Sequence, residues 1–324
     1  MADLENGIKR KTGFRTLNRK RTIYERWFWP FIMPAMILFL VVIVVPFVVG
    51  LFNSFTGWRG TYYFDPISRT RAASAFGAMV GFANFKSALT DKNFMSALWY
   101  TVRYTFVAVI SINVVSLCLA LLVNRVTGIV SRLLRTIFLM PNMLGALALG
   151  FIFQFIFQII FTDMIFGPEG IVHIEALRYM TQDSVKALFA LVMLTTWQSA
   201  GYMMLIYIAG LNTIPKDYYE AASLDGASPF YTFWKITVPL LMPSFTIVFF
   251  LTLSNSFKLL DQNVALTDGN FDTRMLAYQI LRTVRDTNPP DYGKAQAQAV
   301  IFFVIVAAIS LTQVYFTKKK EIDT

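Results

Sequence analysis

The chain predicts an all-α integral membrane protein of six transmembrane helices, and three observations carry that prediction. Hydrophobic residues make up 56% of the 324 positions against 15% charged, with 31 Phe, which is far too apolar for a soluble domain. Six apolar runs of bilayer-spanning length are separated by polar stretches. The net charge of +10 is concentrated beside these runs, with Lys and Arg clustered over 9–26 ahead of the first. Such charge fixes topology, and it removes the nucleic-acid reading that a basic chain invites.

The first 26 residues form a basic tail, expected to lie in the cytoplasm. It does not read as a cleavable signal, because the apolar run that follows, 31–52, is long enough to span and no small-residue cleavage site comes after it. Trp27, Phe28 and Trp29 open that run, where amphipathic rings favour the headgroup zone. The mixed polar stretch 53–96 then falls outside. A second span over 97–123 carries Arg103 near its outer end, where a long side chain snorkels. Arg125, Arg132 and Arg135 occupy 124–135 without an acid, so that loop is inside. The third span, 136–161, contains Pro141 and is expected to kink there. Four acids (Asp163, Glu169, Glu175, Asp183) against Arg178 place 162–184 outside. The fourth span covers 185–211, the fifth 239–257 and the sixth 295–316, with 258–294 external and balanced in charge. Lys318, Lys319 and Lys320 close the chain. The division is therefore a cytoplasmic tail (1–26), a transmembrane domain (27–317) and a second cytoplasmic tail (318–324).

Several kinds of chemistry have no residues to support them. Cys118 is the single cysteine and sits inside an apolar run, which excludes an intrachain disulfide and a thiolate metal cluster. His173 stands alone in a loop. With no paired carboxylates in the spans, an intramembrane enzyme lacks a catalytic constellation, and an ion-driven carrier lacks the mid-span acid it needs. No G-x-x-x-x-G-K-[ST] phosphate loop occurs, so this chain does not bind ATP in the P-loop manner.

The polar insert between the fourth and fifth spans has a structure of its own. Pro215 suits a first helical turn, Asp217 and Glu220 favour a helix N-terminus, and Gly226 suits the exit, so 215–225 predicts a short helix. Ser228 followed by Pro229 predicts the N-cap and first residue of a second helix, and Pro239 opens the next span. Ala221 and Ala222 offer a face that a partner could approach closely. Their pattern, Glu220-Ala221-Ala222, three residues, Gly226, nine residues, Ile236, one residue, Val238-Pro239, resembles the EAA motif of ABC importer permeases. The segments 133–141, 206–215 and 256–261 are similar to the carbohydrate-uptake branch, related to maltose and glycerol-phosphate permeases. The resemblance runs from about 94 to the C-terminus. Two departures stand out: Tyr100-Thr101 replaces a frequent Asn-Thr, and there is no large external domain.

The resemblance implies the type I ABC importer permease architecture with a cytoplasmic coupling helix, in a bacterial cytoplasmic (inner) membrane with both termini inside. It assigns ATPase coupling to Glu220, Ala221, Ala222, Gly226, Ile236 and Pro239. It also implies a second homologous permease, two ATPase subunits that hold ATP and Mg, and a periplasmic or extracellular solute-binding protein, with no cofactor on this chain. The fourth span independently shows Thr195, Gln198, Ser199 and Tyr202 on one helical face, and the fifth shows Thr252, Asn255 and Ser256. In lipid such stripes must face protein or water. Two readings fit them, interhelical hydrogen bonding and a pathway for a neutral solute; the resemblance assigns them to a sugar or oligosaccharide pathway. Asn142, Gln154 and Gln158 on the third span read as interhelical bonds. An amino acid, polyamine or phosphonate cargo on the same architecture is the alternative.

Overall fold

The computed structural model describes residues 27–65, 70–168, 170–172 and 174–319. The expectations for the basic tail 1–26, for Glu169 and His173 and for Lys320 fall outside these residues. Helix α1 (Trp27–Asn53) leads into a small antiparallel sheet of β1 (Trp58–Arg59), β2 (Tyr62–Phe64) and β3 (Arg71–Ala72), with Trp58 opposite Tyr63 and Tyr63 opposite Ala72. After α2 (Ala83–Thr90) come α3 (Lys92–Arg125), α4 (Gly128–Leu139), α5 (Ala146–Ile165) and α6 (Ser184–Thr213). Two short helices follow, α7 (Asp217–Leu224) and α8 (Pro229–Leu240), the latter bent by 69° against α9 (Met242–Phe257). The chain ends in α10 (Asp261–Thr267), α11 (Leu276–Arg285) and α12 (Tyr292–Lys318).

The core lies where α3, α6 and α9 pack together. Tyr100, Tyr104, Leu191, Leu194, Met204, Tyr207 and Val248 are almost fully buried there. Small residues let helices approach closely, as membrane bundles require. A Cβ on Gly201 would stand 1.8 Å from the Phe138 carbonyl oxygen, so α4 and α6 touch backbone to backbone. A Cβ on Gly150 would meet the Ala265 methyl at 2.5 Å, so α10 folds back directly onto α5. Helix α1 is the exception: its most apolar 18-residue stretch contains no buried residue and is left for lipid or another chain, and only its C-terminal end packs on α12, through Phe47 against Phe303 and Gly50 beside Gln296.

The sheet end of the bundle is held by polar contacts. Asp91 caps α3 through the Asn93 amide at 2.9 Å and pairs with Lys294 at 2.7 Å, joining the starts of α3 and α12. Burial alone would raise the Asp91 pKa, but the Lys294 ammonium and two backbone amides outweigh it and hold the carboxyl below its ordinary value. Trp58 stacks on Tyr292 with ring centroids 4.6 Å apart, fixing the sheet to α12.

Three expectations need correction. The run expected as one kinked span over 136–161 is two helices: Pro141 sits in a tight 3₁₀ turn (Met140–Met143), and extended Leu144 and Gly145 separate amphipathic α4 from α5. A proline without an amide, followed by extended backbone, ends a helix rather than bending it. The stretch 53–96 is a folded cap of sheet and helix, not simply a loop. The fifth span, expected as one run from 239, is broken at Leu241, where α8 and α9 meet at 69°.

Candidate functional site

Helix α6 carries both features that matter. Toward the sheet end it lines a cavity of about 440 Å³ with Thr195, Gln198, Ser199 and Met203. From α9 come Thr252, Asn255 and Ser256, and from α3 come Tyr104 and Ile112. Asn142 closes one side, and Lys258, Asp261 and Gln262 close the mouth. The structure thus brings together six of the seven residues on the two polar stripes. Tyr202 is not among them: it lies 43% exposed, turned away from the cavity.

Not all six present free hydrogen-bonding groups. Thr195 accepts from the Tyr104 hydroxyl at 2.9 Å and donates to the Leu191 carbonyl. Thr252 donates to the Val248 carbonyl and accepts from the Asn113 amide at 3.1 Å. Their hydroxyls are already engaged within and between helices. Gln198 donates to the Leu144 carbonyl at 3.3 Å and accepts from Gln262 at 2.9 Å, which ties α10 across the cavity. Asn255 is exposed to the space and has no hydrogen-bond partner among the described residues, so its amide is offered whole.

Below the cavity a second polar group is closed on itself. The Tyr207 hydroxyl donates to Asn113 Oδ1 at 2.7 Å, and Asn113 Nδ2 donates to Val109 and Thr252. All three side chains are buried, so α3, α6 and α9 are laced together at one level. Asn113, Tyr207, Tyr104, Asp261 and Gln262 were not singled out from sequence. Thr101, Thr105, Asn113 and Ser116, spaced along one face of α3, were the available signal for the first of these. Asn142, read as an interhelical bond, instead lines the cavity; Gln154 does bond across to Leu266 on α10, whereas Gln158 bonds to Thr181 in the turn before α6.

At its opposite end α6 runs into α7. Asp217, Glu220, Ala221 and Leu224 share the exposed face of α7, while Ala222 is buried against the chain's own bundle. The small alanine pair therefore divides: Ala222 lets the helix sit close to its own protein, and Ala221 is open. Gly226 ends the helix with φ at 73°, the Ala227 amide reaching back to Ala222 and the Gly226 amide to Ser223. That pair of bonds is the Schellman closure, which glycine adopts without strain. Ser228 then caps α8 by accepting from the Tyr231 amide, with Pro229 at the first position. Ile236 and Pro239 are half-buried along α8.

The profile of the binding-protein-dependent transport system inner membrane component family matches residues 112–321. A probable starch degradation products transport system permease protein, AmyD of Thermoanaerobacterium thermosulfurigenes, is 38% identical over 92% of this chain and 96% of its own length. The multiple sugar-binding transport system permease protein MsmF of Streptococcus mutans is 30% identical over 94% of this chain and 99% of its own. Among solved structures, a bacterial alginate ABC transporter in complex with an alginate pentasaccharide-bound periplasmic protein aligns with a TM-score of 0.70 at 18% identity, over 92% of this chain and 96% of that one. This last likeness speaks for the fold.

Proposed function

The chain belongs to the family of binding-protein-dependent transport inner membrane components, and on that premise we propose that it carries a sugar or oligosaccharide as one permease of an ATP-driven importer. The observation that carries the reading is the continuity of α6: one unbroken helix presents a neutral polar stripe to the cavity at 195–199 and leads into an exposed helix at 217 that is closed at Gly226. Gln198, Ser199 and Asn255 match the hydroxyls of a sugar, and no charged side chain interrupts the stripe on α6 or α9 within the cavity. The starch-product and multiple-sugar relatives support that cargo over an amino acid or polyamine.

A second permease completes the pathway and covers the exposed stretch of α1. Two ATPase subunits supply nucleotide and Mg, and dock on the face of Asp217, Glu220, Ala221 and Leu224, where exposed Tyr218 adds apolar area. The sheet end faces a solute-binding protein outside, the α7 end and both termini face the cytoplasm, and this chain holds no cofactor. Closure of the ATPases moves α7, and the laced core transmits that motion to the cavity.

The test is reconstitution with the ATPases and delivery protein that co-purify with the chain. Glu220→Ala removes one carboxylate from the docking face and should weaken solute-stimulated ATP hydrolysis several-fold. Gly226→Asp adds bulk and a negative charge at a left-handed turn, misplacing the loop, and should weaken it further. Full stimulation in both variants, at normal permease levels, would contradict the coupling role.

A further inference from the structure

A second and larger cavity, about 790 Å³, lies at the other end of the bundle, directly behind α7. Asn124 and Arg125 at the end of α3 and Asn212 at the end of α6 form one side, and Tyr219 and Ser223 of α7 the other. Lys216, at the start of α7, completes it. Two cations line this space and no carboxylate does. The acids of the loop, Asp217, Glu220 and Asp225, are exposed and absent from the lining. Ion pairs among the described residues join Arg59 to Asp291, Arg178 to Glu175, Arg282 to Asp286 and Lys294 to Asp91, so Arg125 and Lys216 have no acidic partner. A cation at the C-terminal turn of α3 suits the helix dipole, which accounts for Arg125 alone. It does not account for a second cation lining the same cavity.

We propose that this cavity binds a phosphate-bearing anion that bridges Arg125 and Lys216. The arginine fork matches two phosphate oxygens and the lysine supplies a point charge. Asn124, Asn212 and Ser223 furnish neutral donors around it, and the Tyr219 and Phe233 rings leave apolar wall for a sugar ring or glycerol carbons. Two sources share this chemistry, a soluble phosphate ester and the headgroup of an anionic lipid in the adjoining leaflet. Either would tie α7 to α3. A ligand that binds this arrangement better than others holds it, so an occupied site slows coupled turnover. The functional consequence rests on α7 being the coupling helix; the binding itself does not.

The experiment uses the assembled transporter in nanodiscs of phosphatidylcholine, titrated with glucose 6-phosphate and, as a neutral control, glucose. Melting temperature reports binding, and delivery-protein-stimulated ATP hydrolysis reports the effect on coupling. Glucose 6-phosphate should raise the melting temperature and lower stimulated hydrolysis several-fold, with glucose doing neither. The double variant Arg125→Gln, Lys216→Gln should lose both responses, and Lys216→Gln alone, at an exposed position, serves if the double variant assembles poorly. In a second arm, phosphatidylglycerol replaces part of the phosphatidylcholine. If it reproduces both effects and glucose 6-phosphate does not, the lipid is the source; the reverse identifies the soluble ester. A wild-type transporter indifferent to both probes, or variants that respond like wild type, would overturn the site. Should Glu220→Ala leave coupling intact, the coupling role fails while the melting shift still reports the site.

Discussion

Two polar groups on the same three helices differ in one respect. In the layer of Asn113, Tyr207 and Thr252, the side-chain donors and acceptors meet one another, and every side chain is buried. In the cavity above, Asn255 offers a whole amide to open space and Gln198 spends its amide on a link between α10 and the α5 entry. The residue types are nearly the same. What separates structural bonding from a solute-binding surface is whether the protein itself satisfies the groups, because an unpaired polar group in a low-dielectric interior is costly and an unpaired group facing water is not.

The comparison is most severely strained by Asn113→Ala, which deletes three hydrogen bonds at once and strands the Tyr207 hydroxyl. At about 1 kcal/mol per interhelical bond, a loss of about 2–3 kcal/mol is expected, read as the largest fall in melting temperature of the purified permease. A melting temperature equal to wild type would dissolve the distinction. Gln198→Ala should act on both sides of it. One lost bond of about 1 kcal/mol corresponds to roughly a fivefold fall in solute uptake, with a modest loss of stability as α10 comes free of α6. Asn255→Ala should separate the two properties: uptake several-fold lower in proteoliposomes, stability within about 0.5 kcal/mol of wild type. Tyr202→Phe sits at the foot of the series, with uptake and stability both unchanged. A marked transport defect there would return Tyr202 to the pathway and show that the assembled subunit turns α6 differently.

The apolar runs, the short helix before Gly226 and the cap at Ser228 were legible because each is written in local residue chemistry: hydropathy, a glycine free to take positive φ, a hydroxyl followed by proline. The polar stripes on α6 and α9 were legible too, but periodicity placed Tyr202 with Gln198 and Ser199 because it measures angle around one helix and not the position of neighbours. The layer around Asn113 was not legible as a unit, since its members lie 94 and 139 residues apart from Asn113. The return of α10 onto α5 depends on Gly150 meeting Ala265, a contact that no local pattern announces. Ala222 looked like a partner-facing residue for the same reason: one letter does not say which side of a short helix is turned inward.

The central claim is that solute passes the cavity beside Asn255 and not the closed layer beneath it, and cysteine protection tests it most directly. In a Cys118→Ser background, Asn255→Cys in the reconstituted transporter is treated from the delivery-protein side with a membrane-impermeant thiol reagent, with and without solute-loaded delivery protein and a non-hydrolysable ATP analogue. The account predicts that Cys at 255 is modified, and that whichever sugar the delivery protein binds and the transporter takes up slows the modification several-fold while an untransported sugar does not. Modification at the same rate with and without the transported sugar would contradict it.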